Sequence, residues 1–316
     1  MLQIYKSTDA GLINLDQIED GAWINLINPD EHEINYISNA LNIPVDQVKA
    51  ALDEEERPRI EVDEGCTLVL IDIPIIDTPV SNPNVQANGT YYTVPLGIII
   101  ANKKIITVSL KENSVIKDFI ERKNKSFYTF KKTRFLLQIL YKNSKLYLQY
   151  LRRIDKASSA IESKLHKSLK NKELIQLLEL EKSLVYFSTS LKSNEIVLEK
   201  IHRFNPVKMY PEDAELLEDV IIENKQAIEM ANIYSNILSG TMDAYASVIS
   251  NNLNIVMKFL TSVTILLAIP TMVASFFGMN VDVPFGDNPH AFAIIFMITM
   301  LISGILAITM VKKQMF

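Results

Sequence analysis

The residues best suited to chemistry form a stripe near the C-terminus. Taken at alternating steps of three and four, the stripe consists of residues that are nearly all small or polar: Asn254, Met257, Thr261, Thr264, Ala268, Thr271, Ser275 and Gly278. The residues between them are mostly Leu, Val and Phe, so a helix here would carry one hydroxyl-bearing stripe on an apolar surface. Two explanations fit this pattern: close helix packing through small residues, or the wall of a water-filled path for cations.

Oxygen-bearing groups follow directly on the stripe. Asn280 supplies an amide carbonyl, and Asp282 and Asp287 lie in the short segment after it. Mg2+ prefers octahedral oxygen ligands and dehydrates reluctantly, so neutral acceptors for its bound waters suit it better than a tight carboxylate cage. Gly278 would permit a close backbone turn that ends the helix and exposes its carbonyls. The two aspartates either add to the field that attracts cations or are ordinary solvated loop residues.

Two apolar stretches at the C-terminus are long enough to cross a bilayer. Residues 259–277 and 291–311 contain no charged side chain, and a span needs about 20 apolar residues. Lys258 precedes the first stretch and two lysines follow the second, whereas residues 281–290 contain aspartates and no Lys or Arg. The excess of positive charge on the cytoplasmic side predicts that both termini lie in the cytoplasm of a protein of the cell membrane.

The N-terminal part of the chain mixes strand and helix signals. Strands are predicted over residues 23–27, 59–62, 67–76, 91–100 and 104–109, and helices near 30–40 and 44–52. Beyond residue 126, apolar residues at helical spacing predict three long helices, over 127–169, 172–204 and 211–277. The predicted fold is an α+β cytoplasmic domain with long helices, continuing through a stalk helix into two transmembrane α-helices.

These signals divide the chain into seven predicted parts. In order, they are a mixed α and β cytoplasmic domain (1–122), long cytoplasmic helices (123–210), a stalk helix (211–252), a pore-side span (253–278), an extracytoplasmic loop (279–290), a second span (291–311) and a basic cytoplasmic tail (312–316). Residues 127–170 carry eleven basic side chains and residues 211–250 carry eight acidic ones. Complementary packing of helix faces explains this contrast, and so does an acidic surface that concentrates cations near a pore mouth.

Composition excludes several classes of protein. With 48% hydrophobic residues the chain is not a disordered polar one, and its single cysteine rules out an intramolecular disulfide and a zinc-finger cluster. The four histidines have no metal-binding spacing, and there is no Gly-rich phosphate loop. We therefore predict neither an enzyme nor a nucleic-acid-binding protein.

Several short motifs resemble the CorA family of divalent-cation channels. The triplet Gly278-Met279-Asn280 stands where that family has its GMN signature, after a long span and before a short loop and a final span. Residues 239–245 (SGTMDAY), 254–258 (NIVMK) and 57–61 (RPRIE) resemble further segments of the family. The order of an α/β domain, long helices, stalk helix and two spans agrees over essentially the whole chain.

The resemblance implies a funnel-shaped homopentamer in the lipid bilayer, with Mg2+ as the usual substrate and Zn2+ in a related branch. It implies a filter at residues 278–280 and a pore lined by the first span, that is, by the stripe together with Leu260. Near the cytoplasmic end, Leu260 and Met257 form either a hydrophobic constriction or an ordinary helix-packing contact. It also implies cytoplasmic Mg2+ sites between subunits that hold the channel closed at high internal Mg2+. Asp219 matches a stalk carboxylate of that site, and Asp77 matches its partner.

Two functions from different classes follow from these observations. One is a passive Mg2+ channel driven by the membrane potential, with Zn2+, Co2+ or Ni2+ as the alternative substrate. The other is a membrane-anchored oligomeric scaffold or sensor without transport. The scaffold would need neither the polar stripe nor Asn280.

Overall fold

The computed structural model describes residues 1–9, 11–63, 65–77, 90–121, 127–165, 171–279 and 289–313. The chain divides into two compact units, Met1–Gly240 and Thr241–Phe316. The first unit contains all the described strands, and the second contains the C-terminal part of the helix Pro211–Phe277 and the helix Ala291–Lys312.

A seven-stranded mixed sheet forms the centre of the first unit. Its strands are β1 (Leu2–Thr8), β2 (Gly11–Asn14), β3 (Trp23–Ile27), β4 (Arg59–Asp63), β5 (Cys66–Asp77), β6 (Thr90–Ala101) and β7 (Lys104–Ser109). Their order is β2-β1-β3-β7-β6-β5-β4, with β3 parallel to β7 and the other neighbouring pairs antiparallel. The sheet confirms the predicted α+β class.

Helices cover both faces of this sheet because its strands alternate apolar side chains between the two faces. On β3, Ile24 and Leu26 join a buried cluster with α1 (Glu31–Leu41) and α2 (Val45–Lys49), which a 3₁₀ turn at Ala50–Leu52 follows. The neighbouring Trp23 faces the other way, and its ring centroid lies 5.0 Å from that of Phe135. That second face also receives the long helices of the unit.

The long helices follow α3 (Ser114–Ile120). They are α4 (Lys132–Leu165), α5 (Asn171–Phe204), α6 (Pro211–Phe277) and α7 (Ala291–Lys312). The predicted long helices are thus confirmed, and α6 has the bounds that the sequence predicts. The predicted start of α4 at residue 127 is wrong, because Ser7 of β1 and Thr129 hold the preceding turn by reciprocal backbone-to-hydroxyl bonds of 3.1 and 2.8 Å.

The second unit exposes an unusually apolar surface. Two helices, Pro211–Phe277 and Phe292–Lys312, are long and apolar enough to cross a membrane. In their most apolar windows, 6% and 17% of residues are buried within the chain. Most of this apolar surface must therefore be covered by lipid or by other protein chains.

Candidate functional site

The predicted stripe lies on the side of α6 that one chain leaves uncovered. All eight of its residues, from Asn254 to Gly278, are exposed. Beyond Thr261 the buried and half-buried residues of α6 fall on the opposite side: Ser262, Val263, Leu266, Ile269, Pro270, Val273 and Phe277. Ser262 is fully buried. Within one chain the stripe thus has no covering element among the described residues.

The second helix of this unit shows the complementary pattern. On α7, Thr299, Ser303 and Met310 are buried and fall on one face at helical spacing. Because α7 is the other described helix of the unit, we attribute the burial of Ser262 and of these residues to their mutual contact. Small side chains at this contact allow the two backbones to approach closely.

Two threonine hydroxyls of the stripe are oriented by the helix itself. Thr264 donates its hydroxyl proton to the Leu260 carbonyl at 2.8 Å, and Thr271 donates to the Leu267 carbonyl at 2.9 Å. A hydroxyl carries one proton and two lone pairs. With the proton used inside the helix, each oxygen offers only lone pairs to a neighbouring molecule, and waters bound to a cation present the matching protons.

The C-terminal end of α6 is closed by Gly278. Its amide donates to the carbonyls of Ala274 at 3.0 Å and Ser275 at 3.2 Å. A Cβ at this position would lie 3.3 Å from the Ala274 carbonyl oxygen, and Gly278 is not among the residues with positive φ. A left-handed backbone therefore does not account for the glycine. The side chain of Met279 is exposed, while Asn280, Asp282 and Asp287 lie outside the described residues.

The proposed regulatory carboxylate Asp219 is exposed on α6. It is near Lys145 of α4, whose ammonium lies 4.5 Å from the Tyr141 ring centroid and 4.0 Å from the Glu223 carboxylate. A hydrogen bond to Tyr141, followed by the charges of Tyr141, Glu223 and Asp219, raises the pKa of Lys145. A metal ion at Asp219 would have to compete with this lysine.

The second predicted carboxylate, Asp77, ends β5 opposite Thr90, and its side chain lies outside the described residues. Within the described part of one chain, no group of three His, Cys, Asp or Glu side chains could hold a metal ion. One chain therefore does not supply a complete protein-built metal centre from its described residues.

Ion pairs account for part of the contrast in charge between α4 and α6. Arg134 lies 3.4 Å from Glu212 and 3.6 Å from Asp213, so pairing accounts for these acids and, with Lys145, for Glu223. The other five acids of residues 211–250 are exposed. They are Glu215, Glu218, Asp219, Glu229 and Asp243.

Sequence reasoning missed a polar cluster around Asp72 in the middle of β5. The Asp72 amide donates to the Asn194 side-chain carbonyl at 2.9 Å. The Asp72 carbonyl accepts from Asn143, Asn194 and Tyr147 at 2.9, 2.8 and 3.2 Å. Burial raises the pKa of the Asp72 carboxyl to about 6, against the opposing effect of a hydrogen bond from Ser190. Asp72 is the one charged residue in the predicted strand 67–76, which is the signal that could have identified it.

Comparison with known proteins agrees with this architecture. The sequence model of one family, the CorA-like Mg2+ transporter protein, matches residues 19–313. The Cobalt/magnesium transport protein CorA of Methanocaldococcus jannaschii is 29% identical over 276 residues, which cover 85% of this chain and 83% of that protein. The protein of the same name from Thermotoga maritima is 26% identical over 136 residues, covering 43% and 39% of the two chains.

Solved structures give the same result for the fold. The complete structure of the CorA magnesium transporter from Methanocaldococcus jannaschii superposes with a TM-score of 0.81 at 26% identity, covering 98% of this chain and 96% of that one. The full-length CmaX protein superposes with a TM-score of 0.70 at 16% identity, covering 99% and 96%. The second match shows a shared fold alone.

Proposed function

The chain belongs to the CorA-like Mg2+ transporter family, and on this premise we propose that it is a passive Mg2+ uptake channel gated by cytoplasmic Mg2+. Members of this family are transporters and not enzymes. The observation that carries the proposal is the exposed stripe of α6, in which Thr264 and Thr271 present hydroxyl lone pairs. We propose Mg2+ as the physiological substrate because the description of the family names Mg2+, and Co2+ is the alternative because the name of the Methanocaldococcus jannaschii relative contains both metals.

Transport through this stripe requires several copies of the chain. Two spans cannot enclose a pore, so we propose that five copies place their α6 stripes around a common axis. The opposite side of α6 carries the buried residue Ser262, which supports an arrangement with α7 on the outside, facing lipid. The positive charges Lys258, Lys312 and Lys313 favour cytoplasmic termini in this membrane assembly.

The chemistry of the stripe suits a hydrated ion. Mg2+ gives up its waters reluctantly, so a pore that accepts hydrogen bonds from those waters lets the ion pass without full dehydration. Rings of Thr264 and Thr271 would supply such acceptors, and Asn280 would add amide carbonyls at the outer mouth. The α6 C-termini would direct the negative ends of their dipoles there, and Asp282 and Asp287 would add to that field.

The membrane potential is sufficient to drive uptake. Moving one elementary charge across a membrane is worth about 2.3 kcal/mol per 100 mV, and a divalent ion doubles that value. No nucleotide needs to be hydrolysed. At the inner end, the exposed side chains of Met257 and Leu260 would form a hydrophobic constriction that gates by dewetting.

Ion flux into proteoliposomes tests the proposal. The purified protein is reconstituted with a Mg2+ indicator inside, and uptake is measured under a negative-inside potential, then repeated with Zn2+, Co2+ and Ni2+. We expect saturable Mg2+ uptake that ends when the potential is collapsed. Preferential uptake of another metal would replace Mg2+ as the substrate, and the absence of flux for every ion would favour the scaffold function.

We expect Thr271→Ser to keep transport and Thr271→Leu to lower Mg2+ flux at least about tenfold, which corresponds to a barrier increase of about 1.4 kcal/mol. Leucine removes the acceptor and narrows and dewets the path. Thr309→Leu is the matched control, because the Thr309 hydroxyl also donates within its own helix, to the Leu306 carbonyl at 2.7 Å, and is exposed on α7. Equal flux through both leucine variants would exclude the stripe as the pore wall.

Regulation is proposed to act through Asp219. A carboxylate that meets an acid of another subunit repels it until a divalent ion bridges the two. Such an ion favours the closed state only if it binds that state more tightly. The partner in this proposal is Asp77. Lys145 lies near Asp219 in the same chain and opposes metal binding there.

We expect Asp219→Ala to raise the internal Mg2+ concentration for half-inhibition by on the order of tenfold, as for a loss of about 1.4 kcal/mol of binding energy. Lys145→Ala should shift it in the opposite direction, because it removes the competing cation. Flux assays at varied internal Mg2+, with Mg2+-dependent protection from protease, measure both. Glu229→Ala is the control for an exposed acid of the same helix. If Asp219→Ala behaves as this control does, the site lies at other acids, such as Glu215, Glu218 or Glu223.

A further inference from the structure

A cleft of about 860 Å3 opens in the first unit beside the beginning of α4. Its walls are the first turn of α4, the turn between β6 and β7, the start of β5, and residues 206–213, which lead into α6 and form its first turn. This volume falls within the range of about 300–1,000 Å3 that is typical of small-molecule sites. The cleft lies outside the proposed transport path.

Positive charge dominates the lining of this cleft. Lys131, Lys132, Arg134 and Lys208 line it, together with two carboxylates. Both carboxylates, Glu212 and Asp213, lie within 3.6 Å of Arg134. In the part of the chain that the structure describes, no carboxylate lies within the ion-pair distance of 4.0 Å of the three lysines.

The position of Lys132 is unfavourable for an isolated cation. This half-buried lysine begins α4, where the helix dipole is positive and the first amide N–H groups have no partner in the helix. The first turn of α4 contains no acid. Burial, and then the charge of Lys103, lower the pKa of Lys132. An anion in the cleft would relieve all of these effects together.

The walls of the cleft are fixed by hydrogen bonds, so the site exists before a ligand binds. The Thr133 hydroxyl donates to the Lys208 carbonyl at 2.8 Å, which ties α4 to the segment that leads into α6. The hydroxyls of Ser7 and Thr129 lie 3.1 Å apart and hold the turn before α4 on β1. Two lining aromatic side chains, Phe130 and Tyr210, are 54% and 58% exposed.

We propose that this cleft binds a soluble phosphate compound of nucleotide size. The phosphates would lie against Lys132 and the amides of the first turn of α4, in charge-assisted hydrogen bonds. Lys131 and Lys208 would neutralise the remaining charge. A base would stack on Phe130 or Tyr210, which offer exposed ring surface.

Equilibrium dialysis tests the proposal on the full-length protein in detergent, in buffer free of Mg2+. The ligands are ATP, inorganic pyrophosphate and adenosine. We expect ATP to bind more tightly than pyrophosphate and adenosine to bind weakest. Lys132→Ala should weaken ATP and pyrophosphate binding at least tenfold, whereas Tyr210→Ala combined with Phe130→Ala should weaken ATP alone. Lys156→Ala, an exposed lysine of the same helix, should change neither.

The binding results distinguish failure of the anion site from failure of the nucleotide assignment. No saturable binding of ATP or pyrophosphate at millimolar concentrations, or equal binding by Lys132→Ala and the unmodified protein, would overturn the proposal. Equal affinity for ATP and pyrophosphate without any effect of the aromatic variants would overturn the nucleotide assignment. Unchanged fluorescence of Trp23, the single tryptophan of the chain, verifies that each variant is folded. Lys208→Ala is a second test of the phosphate contact, because Lys208 also lines the cleft. Dialysis does not depend on transport, so its failure is distinguishable from failure of the channel proposal.

Discussion

Replacement of Asn280 by Ala should leave an assembled protein with little or no Mg2+ flux. In the sequence, Asn280 stands three positions after Phe277, the last residue of α6, and Gly278 between them closes the helix through its amide. An amide side chain at the outer mouth can accept hydrogen bonds from the waters of an arriving ion. Alanine removes this acceptor from every subunit at once and leaves the apolar spans unchanged. The expected result in the proteoliposome assay is uptake close to that of protein-free vesicles.

Two companion variants make this result specific. Asn280→Gln keeps the amide on a side chain that is one methylene group longer, so it should retain part of the flux. Asp282→Asn removes a negative charge from the loop and leaves the Asn280 amide unchanged. Each variant must elute from size exclusion as the unmodified protein does, so that loss of flux is not loss of assembly. Normal Mg2+ uptake by assembled Asn280→Ala protein would reject the filter hypothesis.

Local patterns predicted most of the elements in this fold. The strands β3 and β7 have the predicted bounds, and β4, β5 and β6 differ from prediction by one residue at one or both ends. The reason is that β-branched residues and clear turn signals delimit them. For α6, Pro211 and the acids beside it specify the start, and its end at Phe277 precedes the glycine of the closing turn.

Short elements and long-range pairings were beyond such patterns. The sequence patterns do not predict β1, β2 or α3. The seven residues of α3 make about two turns, which are too few to establish a helical period. The patterns also could not show that β3 pairs in parallel with β7, because some 80 residues separate them in the chain. Contacts between residues distant in the sequence accompany this pairing, such as the hydrogen bond that the Trp23 indole N–H of β3 donates to the Thr107 hydroxyl of β7 at 2.8 Å.

The same distinction between local patterns and long-range contacts applies to the candidate sites. The stripe on α6 was predictable because it is a local helical period. Its opposite face, marked by Ser262, was not, because it depends on which residues the second helix covers. The cleft beside Lys132 combines four separate segments of the chain, and no single window of sequence contains its charge pattern.

The cluster around Asp72 has an energetic cost that depends on pH. Its carboxyl has a pKa of about 6 in the folded protein against an ordinary value of 3.8, with desolvation as the main cause. Since burial favours the protonated acid, the folded state binds this proton more tightly than the unfolded state does. The resulting stabilisation is complete below pH 3.8 and is lost as pH rises through about 6. The difference corresponds to about 3 kcal/mol of unfolding free energy at higher pH.

Asp72→Asn should therefore stabilise the first unit at pH 8 by up to about 3 kcal/mol and leave its stability at pH 4 nearly unchanged. The asparagine keeps the shape of the side chain, and the backbone bonds of residue 72 to Asn143, Asn194 and Tyr147 do not involve the carboxyl. Urea unfolding followed by Trp23 fluorescence measures the effect, because this single tryptophan is fully buried in the first unit. Asp16→Asn, at an exposed aspartate of the same unit, is the matched control. Parallel stability-against-pH curves for Asp72→Asn and the unmodified protein would mean that the buried carboxyl does not govern this dependence.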